Sequence, residues 1–143
     1  MNWYEINNIE DFDSPALVVY PERVEQNISA CIKMVGDLDR LRPHVKTNKT
    51  VEVVQMMLAQ GIAKFKCATI AEAEMLALAG AADVLLAYQP TGPKIVRLAE
   101  LALNYPLVKF SCITDNIESV KSIAEIFDSK ELQKEIYIDL NVG

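Results

Sequence analysis

The amino-acid sequence predicts an α/β fold in which helices cover a parallel sheet. Segments with the composition of strands alternate strictly with segments that have helical periodicity, and the connections between them are short. One strand segment, residues 84–88, is a continuous apolar run, which is typical of a parallel strand covered on both faces. The 143 residues, 51% hydrophobic and 24% charged, correspond to about one globular domain.

A polar lead-in comes first. Residues 15–20 have the composition of a strand, and Pro21 suits the first position of the helix that follows. Gly36 is placed to end that helix. Its packing face is predicted from apolar residues at helical spacing, namely Val24, Ile28, Ile32 and Val35.

A strand that contains Lys46 follows, and Thr50 is suited to cap the next helix, which Gly61 closes. The same alternation then recurs to the end of the sequence. The further strands are predicted at 65–69, 84–88, 108–112 and 135–140, and the further helices at 71–79, from Pro93 and from Asn116.

Counted from the strand that contains Lys46, the sequence predicts five strands and four intervening helices. This order is compatible with an open Rossmann-like sheet and with a barrel, but the glycine-rich turns that bind nucleotide phosphates are missing. Because a complete (β/α)8 barrel takes about 250 residues, the barrel alternative is a partial TIM-type barrel truncated after about five strands. Its edges would be exposed unless another chain covers them.

Composition argues against several classes of function. The net charge of −6 and the scattered basic residues argue against a nucleic-acid partner. No apolar run reaches membrane-spanning length, and the N-terminus lacks the pattern of a signal peptide, so a cytoplasmic protein is expected. Cys31, Cys67 and Cys112 are predicted to be buried free thiols. His44 is the only histidine, which excludes a metal site that needs two.

Polar and apolar residues alternate along 41–46, so the two sets fall on opposite faces of a strand. Arg42, His44 and Lys46 share one face, whereas the apolar face suits packing beneath a helix. Three polar groups on an inward strand face cost too much free energy to be filler. They indicate a site, with Lys46 at the carboxyl end of the strand.

Lysine is the residue that forms Schiff bases with carbonyl compounds. Its amine must be neutral to attack, although its reference pKa is about 10.4. Burial and nearby cations both lower that pKa, and Arg42, His44 and Lys49 are candidate neighbours of Lys46. The ordinary alternative is a lysine that ends a strand and extends into solvent. The spacing alone leaves both interpretations open.

The segment Arg42–Lys49, RPHVKTNK, resembles the cofactor-lysine signature of D-threonine aldolases and eukaryotic-type D-serine dehydratases. These are pyridoxal-phosphate enzymes of fold type III, with an alanine racemase-like N-terminal barrel. Further segments that resemble this family extend over nearly all of the chain, at 13–17, 66–74, 83–88, 92–94 and 139–143.

The resemblance implies that residues 1–143 are the N-terminal portion of a cofactor-binding barrel domain. Residues 1–20 are then the lead-in and first strand, 21–143 are a helix and the β/α units, and the family's C-terminal β domain is absent. That missing portion supplies the last barrel strands, the phosphate-binding loops and a divalent metal site in the family. We therefore expect no metal site within these 143 residues.

By the same resemblance, Lys46 carries pyridoxal phosphate as a Schiff base and moves protons at the substrate α-carbon. His44 and Arg42 would border the cofactor ring, with Arg42 deepest along the strand. Tyr88 and Asn141 stand at the carboxyl ends of their strands, where the active sites of barrels collect, and are expected to line the pocket.

Two other positions bear on the site. Asn48 stands where family members commonly have a second histidine; it keeps hydrogen-bonding capacity but cannot titrate. Glu72 begins a helix, where a carboxylate interacts favourably with the helix dipole.

The resemblance implies a pyridoxal-phosphate-dependent lyase that acts on D-3-hydroxy amino acids. The leading expectation is D-threonine aldolase-like retro-aldol cleavage to glycine and an aldehyde. The alternatives are a D-serine dehydratase or deaminase, an amino-acid racemase, a non-catalytic pyridoxal-phosphate-binding protein, and an inert β/α fragment whose edges drive oligomers. The expected partners are a small D-amino acid and a second copy of the chain in a homodimer, with neither nucleic acid nor membrane.

Overall fold

A computed structural model describes residues 2–133, 135–140 and 142–143, and it confirms the parallel α/β architecture. Its sheet has four strands, which lie side by side in chain order and pair in parallel: β1 (Lys64–Cys67), β2 (Asp83–Leu86), β3 (Lys109–Thr114) and β4 (Glu135–Ile138). A sheet that advances in one direction is the wall of a barrel, whereas a Rossmann sheet reverses its strand order.

Five α-helices lie within the described residues: α1 (Pro21–Val35), α2 (Val51–Ala59), α3 (Ile70–Ala79), α4 (Pro93–Asn104) and α5 (Ile117–Asp128). The helix boundaries agree with the sequence signals to within one or two residues. They do so because each signal is a local backbone requirement.

Two boundaries show this requirement directly. Gly36 follows α1 with φ of 73°, a left-handed conformation that favours glycine. At the start of α5, the Asn116 side chain accepts hydrogen bonds from the amides of Glu118 and Ser119 at 2.9 and 3.2 Å. These bonds satisfy two of the amides that have no partner within the helix.

The hydrophobic core lies between the helices and one face of the sheet. Leu76 of α3 and Leu98 of α4 are almost completely buried there. The strands contribute alternate residues to this core, namely Phe65, Cys67, Val84, Leu86, Phe110 and Cys112. The opposite face of the sheet, which corresponds to the interior of a barrel, carries the residues between them, which are mainly polar.

The predicted strand at residues 15–20 is wrong. Leu17 is 78% exposed and Val18 is 46% exposed, and the segment pairs with no other strand among the described residues. β-branched composition favours an extended backbone, but a strand also needs a neighbour for its amide and carbonyl groups. The composition of residues 15–20 favours an extended backbone, but no neighbouring strand among the described residues pairs with it.

The strand predicted to contain Lys46 is only partly formed. Leu41 to His44 run alongside β1, where the Lys66 amide donates to the Pro43 carbonyl at 2.8 Å and His44 forms an isolated parallel bridge with Lys66. The chain then tightens into a 3₁₀ turn over Val45–Thr47. The sheet therefore has four strands and one bridging segment instead of five strands.

The cysteine prediction holds at two positions of three. Cys67 and Cys112 are buried, and burial raises the pKa of these thiols to about 12 and about 11. Cys31 is exposed, contrary to expectation. It lies on α1 outside the predicted apolar stripe, whose four residues are half-buried or buried.

Candidate functional site

One row of mainly polar side chains crosses the inward face of the sheet. The strand register aligns His44 with Lys66, then with Leu85, Ser111 and Glu135. Residues paired in this way point to the same side of a sheet, and this side is opposite the helices. The predicted polar face of the 41–46 segment is therefore part of a larger polar surface.

Lys46 lies one step beyond this row, toward the carboxyl ends of the strands. It sits in the Val45–Thr47 turn and is exposed, whereas its neighbour Val45 is only 1% exposed. Among the residues that the structure describes, no ion pair engages the Lys46 amine. Its side chain is thus available at the carboxyl ends of the strands, where the active sites of barrels collect.

His44 is the direct neighbour of Lys46. Its Nδ1 accepts a hydrogen bond from the Lys46 backbone amide at 3.2 Å, which requires that nitrogen to be unprotonated. Burial is the main cause that lowers the pKa of His44, and the charges of Lys46 and Lys66 lower it further. The hydrogen bond and the lowered pKa both favour a neutral imidazole beside the candidate lysine.

Arg42 lies at the other end of the same segment. Its guanidinium forms a two-pronged ion pair with Asp83, at 2.6 and 2.9 Å, and lies 3.4 Å from the Phe65 carbonyl. Asp83 is the first residue of β2, so this pair marks the amino end of the strands. The placement favours a structural role for Arg42 over contact with a group bound at the carboxyl end.

Tyr88 follows β2 at the carboxyl end and is 56% exposed. It contributes to a cavity of about 260 Å³, which is also lined by residues that follow β3 and β4, including Asp115 and Asp139. The Lys94 amine lies 4.9 Å from the centre of its ring. Two strand spacings, about 10 Å, separate β2 from the Lys46 segment, and Lys46 does not line this cavity.

Asn141, the remaining predicted site residue, lies outside the described residues. The neighbouring backbone shows where β4 leads. The Asp139 amide donates to the Thr114 carbonyl at 3.2 Å, which continues the pairing with β3 past the last residue of β4. The chain is therefore directed toward the carboxyl edge at this point.

Two carboxylates near the lysine segment were not predicted as its partners. Asp83 binds Arg42, and Glu72 lies 3.4 Å from the Lys49 amine while remaining only 6% exposed. The spacing of Thr69 and Glu72 matches a capping box, which gave a local signal for Glu72. No sequence signal paired Arg42 with Asp83, because that contact depends on strand register.

The described part of the chain contains no cluster of three or more histidine, cysteine, aspartate or glutamate side chains arranged to hold a metal ion. None of the described helices is both long enough and apolar enough to span a membrane.

Comparison with curated proteins finds relatives that are similar in sequence. The chain is 29% identical over 133 residues to D-threo-3-hydroxyaspartate dehydratase from Delftia sp. strain HT23, which covers 90% of the chain and 34% of that protein. It is 28% identical over 133 residues to D-threonine aldolase from Arthrobacter sp., with 92% and 34% covered. The chain thus spans about a third of the length of these relatives.

Solved structures agree with these relatives. A crystal structure of D-threonine aldolase from Filomicrobium marinum superposes with a TM-score of 0.84 at 26% identity, covering 94% of the chain and 36% of that protein. The Delftia dehydratase superposes with a TM-score of 0.78 at 27% identity, covering 92% and 36%. The family model described as alanine racemase, N-terminal domain, matches residues 19–143. This chain therefore belongs to the alanine racemase N-terminal domain family.

Proposed function

We propose that residues 1–143 are the N-terminal portion of a pyridoxal-phosphate-binding barrel domain, with Lys46 as the residue that attaches the cofactor. The position of Lys46 carries this proposal. Its amine is exposed at the carboxyl end of a parallel sheet, with no ion-pair partner among the described residues. The His44 imidazole lies beside it, and Lys66 pairs with His44 on the neighbouring strand.

These groups suit an aldehyde cofactor. An amine that is not tied into an ion pair can bond to an aldehyde carbon. The exposed position of Lys46 at the carboxyl ends of the strands, where the active sites of barrels collect, supports the proposal. The family is pyridoxal-phosphate-dependent, which makes this aldehyde the natural candidate.

When bound, pyridoxal phosphate supplies an electron sink for breaking bonds next to the amino-bearing carbon. Lys46 would hold the cofactor and move a proton at that carbon. His44 would fix the Lys46 backbone through its Nδ1 and border the ring as a neutral group. Tyr88 would line the carboxyl-edge cavity. Asn141 and Arg42 remain predictions as cofactor contacts, and Arg42 is already bound to Asp83.

For a protein that carries this chain over the relatives' full length, we propose a lyase that acts on D-3-hydroxy amino acids, with retro-aldol cleavage as the reaction. The D-threonine aldolase relatives favour this reaction. The Delftia relative favours the alternative, dehydration of a D-3-hydroxy amino acid to an oxoacid and ammonia. Both reactions would use the same cofactor and the same lysine.

The cofactor assignment is tested by incubating the chain with pyridoxal phosphate, reducing with borohydride and mapping the labelled peptide by mass spectrometry. We expect one adduct per chain at Lys46, and its loss in Lys46→Ala. Lys121→Ala is the matched control, because Lys121 is an exposed lysine on α5, far along the chain from the site. Scattered labelling that Lys46→Ala leaves unchanged would contradict the assignment.

The reaction is tested with a substrate panel on a protein of the relatives' length that contains this chain. Release of glycine from D-threonine, but not from L-threonine, is expected for the aldolase. Release of ammonia from D-serine or D-threo-3-hydroxyaspartate would instead identify the dehydratase. Turnover of none of these compounds would reject both reactions.

A further inference from the structure

Contacts on the C-terminal side of Lys46 hold the turn that carries this residue. The Lys49 amide donates to the Val45 carbonyl at 2.9 Å, so these two residues bracket Lys46. Lys49 adopts φ of 51°, a left-handed conformation that residues with a β-carbon adopt at a cost. A contact elsewhere in the structure must offset that cost for the turn to keep this shape.

The Glu72 carboxylate provides such a contact. One of its oxygens accepts a hydrogen bond from the Ala68 amide at 2.7 Å, and the other lies 3.4 Å from the Lys49 amine. Ala68 directly follows β1, the strand against which the lysine segment runs. One side chain therefore ties the turn after Lys46 to the carboxyl end of its neighbouring strand.

The burial of Glu72 separates this role from an ordinary charge in the first turn of a helix. Glu72 is 6% exposed, whereas Glu118 in the corresponding first turn of α5 is exposed and pairs with Lys121 on its own helix. A carboxylate is buried at a cost unless hydrogen bonds and a counter-charge satisfy it. For Glu72, the hydrogen bond comes from the Ala68 amide, which directly follows β1, and the counter-charge comes from the Lys49 amine.

We propose that Glu72 is a positioning residue for Lys46, acting through Lys49. The ion pair holds the 45–49 turn in the shape that presents the Lys46 amine at the carboxyl edge of the sheet. Where it concerns the cofactor, this inference rests on the proposed function. The Glu72 carboxylate contacts the Ala68 amide and the Lys49 amine, so it would act on Lys46 indirectly.

The first arm of the test needs no cofactor. Hydrogen–deuterium exchange of the peptide covering residues 44–50 is compared between the unaltered chain, Glu72→Gln and Lys49→Met. Gln keeps an acceptor for the Ala68 amide but loses the charge that attracts Lys49. We expect exchange of this peptide about fivefold faster in both variants. The double variant should be no faster than either single one, because each removes the same interaction.

The second arm measures the pyridoxal phosphate concentration that half-labels Lys46 before borohydride reduction. We expect this concentration to rise about fivefold in Glu72→Gln. Glu118→Gln and Lys121→Met are the matched controls, since they make the same chemical changes in a first-turn pair on α5. Both controls should leave the exchange of residues 44–50 and the labelling of Lys46 unchanged. Circular dichroism verifies that each variant keeps its helices.

The two arms separate the two claims. Equal exchange of residues 44–50 in Glu72→Gln and the unaltered chain would overturn the positioning role, whether or not Lys46 binds cofactor. Faster exchange with an unchanged labelling concentration would overturn it as well, because the turn would then not matter to the amine. An unaltered chain that takes no label at Lys46 would overturn the proposed function, and the exchange comparison would still decide whether Glu72 holds the turn.

Discussion

At the scale of single residues, the surroundings of His44 favour one protonation state of its ring. Its Nδ1 must be unprotonated to accept the Lys46 amide, and burial and two lysine charges all act in that direction. The hydrogen bond and the electrostatics are therefore consistent with each other. A charged imidazole here would lose the bond and face two other cations.

We expect the pKa of His44 to lie below its ordinary value near 6.5. Because His44 is the only histidine, NMR titration of its ring protons gives this pKa without ambiguity. The urea-unfolded chain should return to the ordinary value. Lys66→Met should raise the pKa of the folded form, since it removes one of the charges that lower it; an unchanged value would contradict this account.

The same shift has a consequence for stability. Since the folded pKa is the lower one, the unfolded chain binds more protons between the two pKa values. The stabilising contribution is therefore complete above about pH 6.5 and is lost as the pH falls toward the folded pKa. Urea unfolding of the unaltered chain and of His44→Gln, at about pH 8 and about pH 5, should show that loss only when His44 is present.

At the scale of secondary-structure elements, the Arg42–Asp83 pair connects three parts of the sheet. Arg42 belongs to the extended segment beside β1, Asp83 begins β2, and the guanidinium also approaches the Phe65 carbonyl of β1. Both side chains of the ion pair are largely buried, at 22% and 15% exposure. The pair thus holds the start of the lysine segment, and Glu72 holds its end.

Asp83→Asn should destabilise the chain by about 2 kcal/mol, because it leaves a largely buried guanidinium without its counter-charge. Glu118→Gln, which breaks an exposed pair within α5, should cost less than about 0.5 kcal/mol. Urea unfolding followed by circular dichroism measures both values. Similar costs for the two variants would show that burial adds nothing to the Arg42–Asp83 pair.

At the scale of the whole molecule, the sheet has one well-covered face and one incomplete edge. The outer side of β4 pairs with no strand among the described residues, and apolar side chains are exposed there, with Ile138 at 75% and Leu140 at 73%. Unpaired strand edges with apolar side chains favour pairing with another chain. We therefore expect the 143-residue chain by itself to associate through β4.

Sedimentation velocity over a range of concentrations should therefore show reversible self-association of the 143-residue chain. Ile138→Lys should raise the dissociation constant by about tenfold, because a charge on an edge strand opposes pairing. Leu107→Lys is the control, since Leu107 is 94% exposed but lies in the connection before β3. A similar effect from both variants would indicate general loss of apolar surface instead of pairing at β4.

Features that depend on neighbouring residues could be predicted from the sequence. Local backbone and side-chain preferences account for the helix starts at Pro21, Pro93 and Asn116, the helix end before Gly36, and the order of strands and helices. The family signature at 42–49 is also a short local pattern. The candidate lysine, Lys46, was predicted in the same way, from a strand pattern and a short motif.

Features that depend on a partner distant in sequence required the three-dimensional structure. It showed that residues 15–20 have no strand to pair with, that Cys31 is uncovered, and that Lys46 lies in a turn instead of a strand. It also paired Arg42 with Asp83 and Glu72 with Lys49. Register, burial and ion pairing are properties of two segments brought together in space, and the sequence pattern of either segment alone contains neither the distance nor the orientation between them.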